Sequence, residues 1–456
     1  MKLTPYPVYK PSGIEWLGEV PAHWDVMRLK ASVANVIEQN HREDKHEIRL
    51  ALEHVESWTG RYNDTGPNVH FDSQVKYFQA NDVLFGKLRP YLAKVVRPDK
   101  AGMCVGEFLV LRPRGRGLSA PYLEQLIRSK PIIDAVNSST FGAKMPRADW
   151  QFIGNMRQPL PPLPEQTAIV RYLNYTTERI QSYINAKERL INLLAEQRQA
   201  IIQRAVTRGL DPNVRLKPSG VEWLGEVPAH WEMWRLKHAA TLNPSRAESR
   251  SSLMPATAVT FLPMERVRSD GRIDPQEIIP ASKVWKGFTY FRKNDVLVAK
   301  ITPCFENGKG AHLHSLPTEV GFGSTEFHVL RAKSFVLPQF LYLLTKTSEF
   351  RRLGADAMTG AAGQQRVPSS FVANYSMSLP PLSEQTAIVE YLEKATADID
   401  SATHRARREI ELLKEYHTRL SADVVTGKLD VREAAFKLPE AHDELSISDK
   451  PELQSD

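Results

Sequence analysis

Two cysteines in 456 residues is very few, and Cys104 and Cys304 fit neither a disulfide framework nor the spacing of a metal cluster. Apolar runs of about 18 residues, the length a membrane-spanning helix needs, are missing. The opening stretch "MKLTPYPVYKPSG" lacks the apolar centre of a secretory signal. A reducing cytoplasm is the simplest home for such a chain. Catalytic signatures are missing as well. There is no Asp/Asn-Pro-Pro-Tyr/Phe tetrapeptide of the amino-methyltransferase kind, and "NPSR" (Asn243–Arg246) is only the nearest string. No glycine-rich cofactor loop follows a strand, and "ENGKGAH" lacks the earlier glycine of a Walker A loop. The thirteen histidines show no H-E-x-x-H spacing. No catalytic residue, cofactor or metal is therefore expected of this chain.

What is present begins with size and charge. A chain of 456 residues is too long for a single core, and 42% hydrophobic with 25% charged residues is the balance of a globular protein. The formal charge is +7, yet the last twenty residues, "KLPEAHDELSISDKPELQSD", hold two lysines against six acids. The body thus carries about +11, which suits a polyanionic partner without demanding one.

The dominant feature is an internal repeat. "KPSGIEWLGEVPAHW" (Lys10–Trp24) returns as "KPSGVEWLGEVPAHW" (Lys217–Trp231) with one change, Ile14 to Val221. "NDVLFGKLRP" (Asn81–Pro90) answers "NDVLVAKITP" (Asn294–Pro303), and "EFLVLRP" (Glu107–Pro113) answers "EFHVLRA" (Glu326–Ala332). "LPPLPEQTAIVRYL" (Leu160–Leu173) answers "LPPLSEQTAIVEYL" (Leu379–Leu392), 219 residues later. The ends of each half match almost letter for letter, whereas the interiors, about 31–150 and 238–370, match only at scattered positions. One frame holds two different contents. The interiors show short β-favouring runs ("DVLFG", "FHVLR") between helical stretches such as "PYLEQLIRS", so each is a mixed α/β module.

After "LPPL" the texture changes. Leu173, Thr177, Ile180, Ile184, Lys187, Ile191, Leu194, Arg198, Ile201 and Ala205 alternate by four and three. Leu392, Thr396, Ile399, Thr403, Ala406, Ile410, Leu413, His417, Leu420 and Val424 repeat this in register. Such spacing predicts two long helices with coiled-coil seams, each roughly 65 Å at ~1.5 Å per residue. Paired prolines (Pro161, Pro162; Pro380, Pro381) mark the starts, Ser383 is a candidate N-cap, and Gly209 and Gly427 sit where the helices should stop. Neither helix can bury its stripe alone, so the two are expected to pack together; the spacing itself leaves parallel and antiparallel arrangements open.

With this layout, the sequence resembles the specificity subunit of type I restriction–modification systems over roughly residues 10–430. The resemblance rests on the tryptophan-bearing "EWLGEVPAHW" block, the "ND" turn before a strand, and "LPPL.EQ.AIV..L" opening a long helix, all present twice. It implies two target recognition domains (1–160 and 210–379) and two long helices (161–209 and 380–429) forming an antiparallel coiled coil of fixed length; the acidic composition of the remainder (430–456) reads as a flexible tail. It further implies that the subunit is not catalytic by itself. It would read a bipartite DNA site and recruit two modification subunits and, in the full complex, restriction subunits, giving adenine methylation and ATP-dependent cleavage. Because the interiors differ, the target should be asymmetric.

Duplex reading needs cations for phosphates and planar donors for base edges. The best candidates lie on predicted loops beside glycine. In the first half these are Lys87, Arg89 and Tyr91 of "GKLRPY", with Lys144 and Arg147 of "FGAKMPR". In the second they are Lys300 and Thr302 of "VAKITP", with Gln364, Gln365 and Arg366 of "GAAGQQR". Any single one could equally be a solvated loop residue. Trp16, Trp24, Trp223 and Trp231 are either core anchors or a docking surface for the methylating partner, used twice. Glu165, Gln166, Glu384 and Gln385 at the helix openings stand between packing and docking in the same way. Two rivals remain: a repeat-built protein–protein scaffold that does not read DNA, and an enzyme with an unrecognised site.

Overall fold

The computed structural model describes residues 3–38, 48–63, 75–115, 117–140, 145–251, 253–361 and 363–439. The chain forms two compact units: unit 1 comprises Met1–Lys187 with Arg408–Asp456, and unit 2 comprises Glu188–Arg407. No helix among the described residues is long and apolar enough to cross a membrane.

In unit 1 a four-stranded sheet runs in the order Val33–Val36, Phe108–Pro113, Val83–Gly86, Val95–Val96. The run Val83–Gly86 is buried at every position, as a strand covered on both faces must be. A second sheet pairs Ile48–Leu50 and Val75–Phe78 with Gly102–Val105 between them. Helices Ala120–Arg128 and Lys130–Ser138 cover the first sheet with Tyr122, Leu123, Leu126 and Ile133.

Unit 2 repeats the first sheet as Ala240–Leu242, Phe327–Ala332, Val296–Ala299 and Gly310–His312. Its second sheet has four strands where unit 1 has three: Glu277–Pro280, Ala258–Leu262, Val320–Gly323 and Thr289–Arg292. The "ND" turn is the same device in both units. Asn81 and Asn294 each hold φ +68°, a left-handed conformation asparagine tolerates better than most residues. The following aspartates are buried. Asp82 takes two bonds from Arg112, at 2.8 and 2.7 Å, and Asp295 takes two from Arg331, both at 2.7 Å.

The long helices are Leu163–Arg208 and Leu382–Val425, of 46 and 44 residues. Each begins where a proline carbonyl accepts the first amides: Pro162 O takes Glu165 N and Gln166 N, and Pro381 O takes Glu384 N and Gln385 N. Ser383 therefore lies inside the first turn and is not the N-cap. Every predicted seam position is buried or half-buried, while most of the residues between them are exposed. In unit 1, Thr177 Oγ1 lies 2.9 Å from His417 Nε2, and Lys187 Nζ lies 2.6 Å from Glu409. Numbers rise on one helix as they fall on the other, so the segments are antiparallel. In unit 2, Arg198 donates to Asp400 at 2.9 Å, and Ile202 and Ala205 share a core with Ile388 and Leu392, again antiparallel. The polar seam residues Lys187, Arg198 and His417 all have partners.

Gly209 and Gly427 end the helices at φ +72° and +79°. Each also leaves room for a tryptophan: a Cβ on Gly427 would lie 2.9 Å from the Trp24 ring, and one on Gly209 3.3 Å from Trp231. Beyond Gly427, Asp430 bridges Thr4 and Val431 is buried, followed by the short helix Arg432–Phe436. Most of the acidic tail, 440–456, lies outside the described residues.

Candidate nucleic-acid interface

Chain turns about 60 residues apart meet at the end of the central strand of each unit. In unit 1 the "GKLRP" turn leaving Val83–Gly86 meets the segment before Ala148. Arg89 N donates to Pro146 O at 2.8 Å, Ala148 N to Lys87 O at 2.9 Å, and Lys87 N to Glu107 O at 2.8 Å. In unit 2, Thr302 N donates to Gln365 O at 2.9 Å, Val367 N to Lys300 O at 2.8 Å, and Lys300 N to Glu326 O at 2.9 Å. The three bonds correspond one for one.

A carboxylate locks each pair of turns. Glu107 takes Arg147 Nε at 3.3 Å and Nη2 at 3.1 Å, while Glu326 takes Arg366 Nε and Nη2 at 2.9 Å each. Arg366 holds the Glu326 carboxyl below the usual range, and Glu326 in turn raises the Arg366 guanidinium. Unit 2 adds an interior tie: His328, buried where unit 1 has Leu109, places Nε2 2.9 Å from Val367 O. Burial lowers its pKa, so this ring is neutral at pH 7.

The structure thus gathers Lys87, Arg89, Tyr91 and Arg147 in unit 1, and Lys300, Thr302, Gln364, Gln365 and Arg366 in unit 2. Arg89, Arg147, Gln364 and Arg366 are exposed, and Tyr91 keeps 46% of its surface. Arg89 holds φ +52°, an uncommon conformation for a branched-out cation, fixed by its bond to Pro146. Thr302 turns its hydroxyl 3.1 Å from Met358 Sδ. Lys144 lies outside the described residues. Glu107 and Glu326 were not foreseen as site residues. Their signal was available: Glu107 and Glu326, and Arg147 and Arg366, keep the same 219-residue offset inside interiors that otherwise diverge.

The residues expected at a docking surface divide by burial. Trp24 and Trp231 have no exposed surface, nor have Gln166 and Gln385. Gln166 donates to Gly117 O and Pro161 O, both at 2.8 Å, and accepts Ser119 N at 2.9 Å. Gln385 does the same with Phe335 O, Pro380 O and Leu337 N. These four side chains tie module to helix and are closed to direct contact. Glu165 and Glu384 receive His23 at 2.8 Å and His230 at 2.7 Å, with both histidines about half exposed. Trp231 Nε1 also donates to Glu384 at 3.0 Å. Trp16 and Trp223 are half-buried, the latter stacked on Tyr375. A cleft of about 500 Å³ opens beside His23, Glu165, Arg171 and Arg432. Among the described residues no group of three or more His, Cys, Asp or Glu could hold a metal ion.

Residues 228–412 match the family model of the type I restriction modification DNA specificity domain. The chain is 36% identical over 208 residues to the EcoEI specificity subunit of Escherichia coli, a stretch covering 45% of this chain and 34% of that one. It therefore spans about a third of that relative's length. Over 443 residues it is 24% identical to the putative MjaX specificity subunit of Methanocaldococcus jannaschii, covering 91% of this chain and 96% of that one. A solved structure described as "Structural basis underlying complex assembly and conformational transition of the type I R-M system" aligns with a TM-score of 0.66 at 18% identity, covering 90% of this chain and 99% of that one, which shows a common fold.

Proposed function

We propose, since this chain belongs to the family of type I restriction–modification specificity subunits, that it reads a bipartite, asymmetric DNA target, one half-site per unit. Methylase subunits, and restriction subunits in the full complex, would assemble on it and supply the chemistry. The observation that supports this best is the loop pair built twice at one backbone geometry and lined by unlike side chains. Cations beside exposed turns suit phosphates, Arg89 suits guanine, and Gln364 and Gln365 suit adenine. Two readers of different chemistry fit a target whose halves differ.

In this reading the target recognition domains are 1–160 and 210–379, and the long helices, which contribute residues to both units, act as the spacer ruler. Docking would fall to Trp16, Trp223 and the half-exposed His23–Glu165 and His230–Glu384 pairs, with Trp24, Trp231, Gln166 and Gln385 supporting that surface from beneath. Deleting one heptad from each long helix should shorten the preferred gap between half-sites and leave both half-sites unchanged. Mapping methylated sites in cells carrying the variant tests this: altered half-sites with an unaltered gap would refute the ruler. A protein-only scaffold predicts no duplex binding. DNA reading predicts affinity that falls steeply with salt, because bound phosphates release counterions.

A further inference from the structure

The two loop pairs contain positions of two kinds. Lys87 and Lys300 correspond, as do Arg147 and Arg366, and the carboxylates that hold those arginines, Glu107 and Glu326. By the same backbone bonds Arg89 corresponds to Thr302, Pro146 to Gln365, and therefore Met145 to Gln364. The first kind keeps identity and geometry; the second keeps geometry alone. We propose that the shared residues Lys87 and Arg147, and Lys300 and Arg366, contact backbone phosphate and carry no base choice. The unlike residues Arg89, Tyr91 and Met145 in unit 1, and Thr302, Gln364 and Gln365 in unit 2, carry the sequence preference. This rests on the DNA reading proposed above and deepens it.

The argument is one of symmetry of need. Two half-sites of different sequence share only one ligand, the sugar–phosphate backbone, so a side chain repeated at one geometry in both readers serves what both targets have in common. Base edges differ, and the residues that meet them must differ. The arginine lock fits a phosphate contact. Glutamate takes the Nε–Nη2 edge and fixes the guanidinium plane, so little side-chain freedom is left to lose on binding. In unit 2 the lock also reaches the reader: Arg366 Nη1 donates to Gln364 O at 3.2 Å, which sets the backbone from which Gln364 and Gln365 project. The two kinds of residue are thereby held in fixed register, one to grip and one to read.

The test uses the full-length chain with its methylating partner and a pool of random duplexes. Binding is selected and then measured at several salt concentrations. Arg147→Ala and Arg366→Ala should each weaken binding to selected and scrambled duplexes by the same factor, about tenfold, and reduce the salt slope by about one. The selected motif should stay as it is. Arg89→Ala, and Gln364→Ala with Gln365→Ala, should relax one half of the motif and leave scrambled-duplex affinity and salt slope unchanged. Should the arginine variants fold poorly, Lys87→Gln and Lys300→Gln carry the same expectation. A motif changed by Arg147→Ala or Arg366→Ala, or affinity unmoved by all four shared-residue variants, overturns the assignment. If the unaltered complex shows no salt-dependent duplex binding, the DNA reading itself falls, and this assignment with it.

Discussion

On the helix that follows the central sheet, unit 1 sets Arg128 against Glu124 at 2.7 Å, and unit 2 sets Lys346 over the Tyr342 ring at 5.5 Å. The two cations close the same turn, six residues past a fully buried aromatic, Tyr122 in one unit and Phe340 in the other, yet one is ion-paired and the other lies on a π face. Nearby, Gln166 and Gln385 make the same three bonds, Asp82 and Asp295 receive the same arginine fork, and both long helices start on a proline carbonyl. Most contacts that join module to helix are kept in kind, and inside each module the arginine fork and the loop-pair bonds are kept as well. Other contacts inside a module are solved separately in each. The duplicated frame is thus under the tighter physical constraint: it must close the same joint twice, while each interior need only fill its own volume.

Breaking the frame should cost both units alike. Trp24→Ala and Trp231→Ala each remove a side chain with no exposed surface and should destabilise their own unit by about 3–5 kcal/mol. Hydrogen exchange, read by peptide, would show faster opening in unit 1 for the first variant and in unit 2 for the second. Loss in the opposite unit alone would contradict the division into units.

A gentler change sharpens the comparison. Trp231 Nε1 donates to Glu384, whereas Trp24 Nε1 has no hydrogen-bond partner among the described residues. Replacement by phenylalanine should therefore cost unit 2 about 1 kcal/mol more than unit 1, read as a difference in opening rates between Trp231→Phe and Trp24→Phe. Equal costs would mean that the bond contributes nothing net.

Acid should separate the units least, but in a defined direction. In unit 2, burial, and next the neighbouring His314, lowers His312 to about 4, and burial also lowers His328; in unit 1 burial lowers His417. A folded histidine with a depressed pKa lets the unfolded chain take up protons first. Its contribution is complete above about pH 6.5 and declines as pH falls through the interval down to the folded value. Unit 2 should thus loosen before unit 1 between pH 7 and 5, by hydrogen exchange at matched intrinsic rates, and His312→Gln should narrow the gap. A gap unaltered by that substitution would locate the acid sensitivity elsewhere.

The features legible in the sequence are those fixed by spacing. Seam residues from Leu173 to Ala205 and from Leu392 to Val424 could be read because a helix turns every 3.6 residues whatever its surroundings. The strands in "DVLFG" and "FHVLR" and the stops at Gly209 and Gly427 were local in the same sense. The N-cap expected at Ser383 is not one, because a carbonyl two residues earlier, at Pro381, already serves the free amides. Burial of Gln166 could not be read at all: it follows from Gly117 O and Ser119 N, nearly fifty residues away, which need partners once the helix covers them. The locks between Glu107 and Arg147, and between Glu326 and Arg366, span forty residues and exist only after the turns converge. Candidate site residues were found one by one, but their grouping was a property of the fold.

Unit 2 is one uninterrupted stretch, Glu188–Arg407, whereas unit 1 takes its core from both flanks, with Leu420, Val424, Val425 and Val431 packed among residues of the first 173. A ribosome therefore delivers every part of unit 2 before it delivers the pieces that complete unit 1. The half translated earliest is the last able to complete its core.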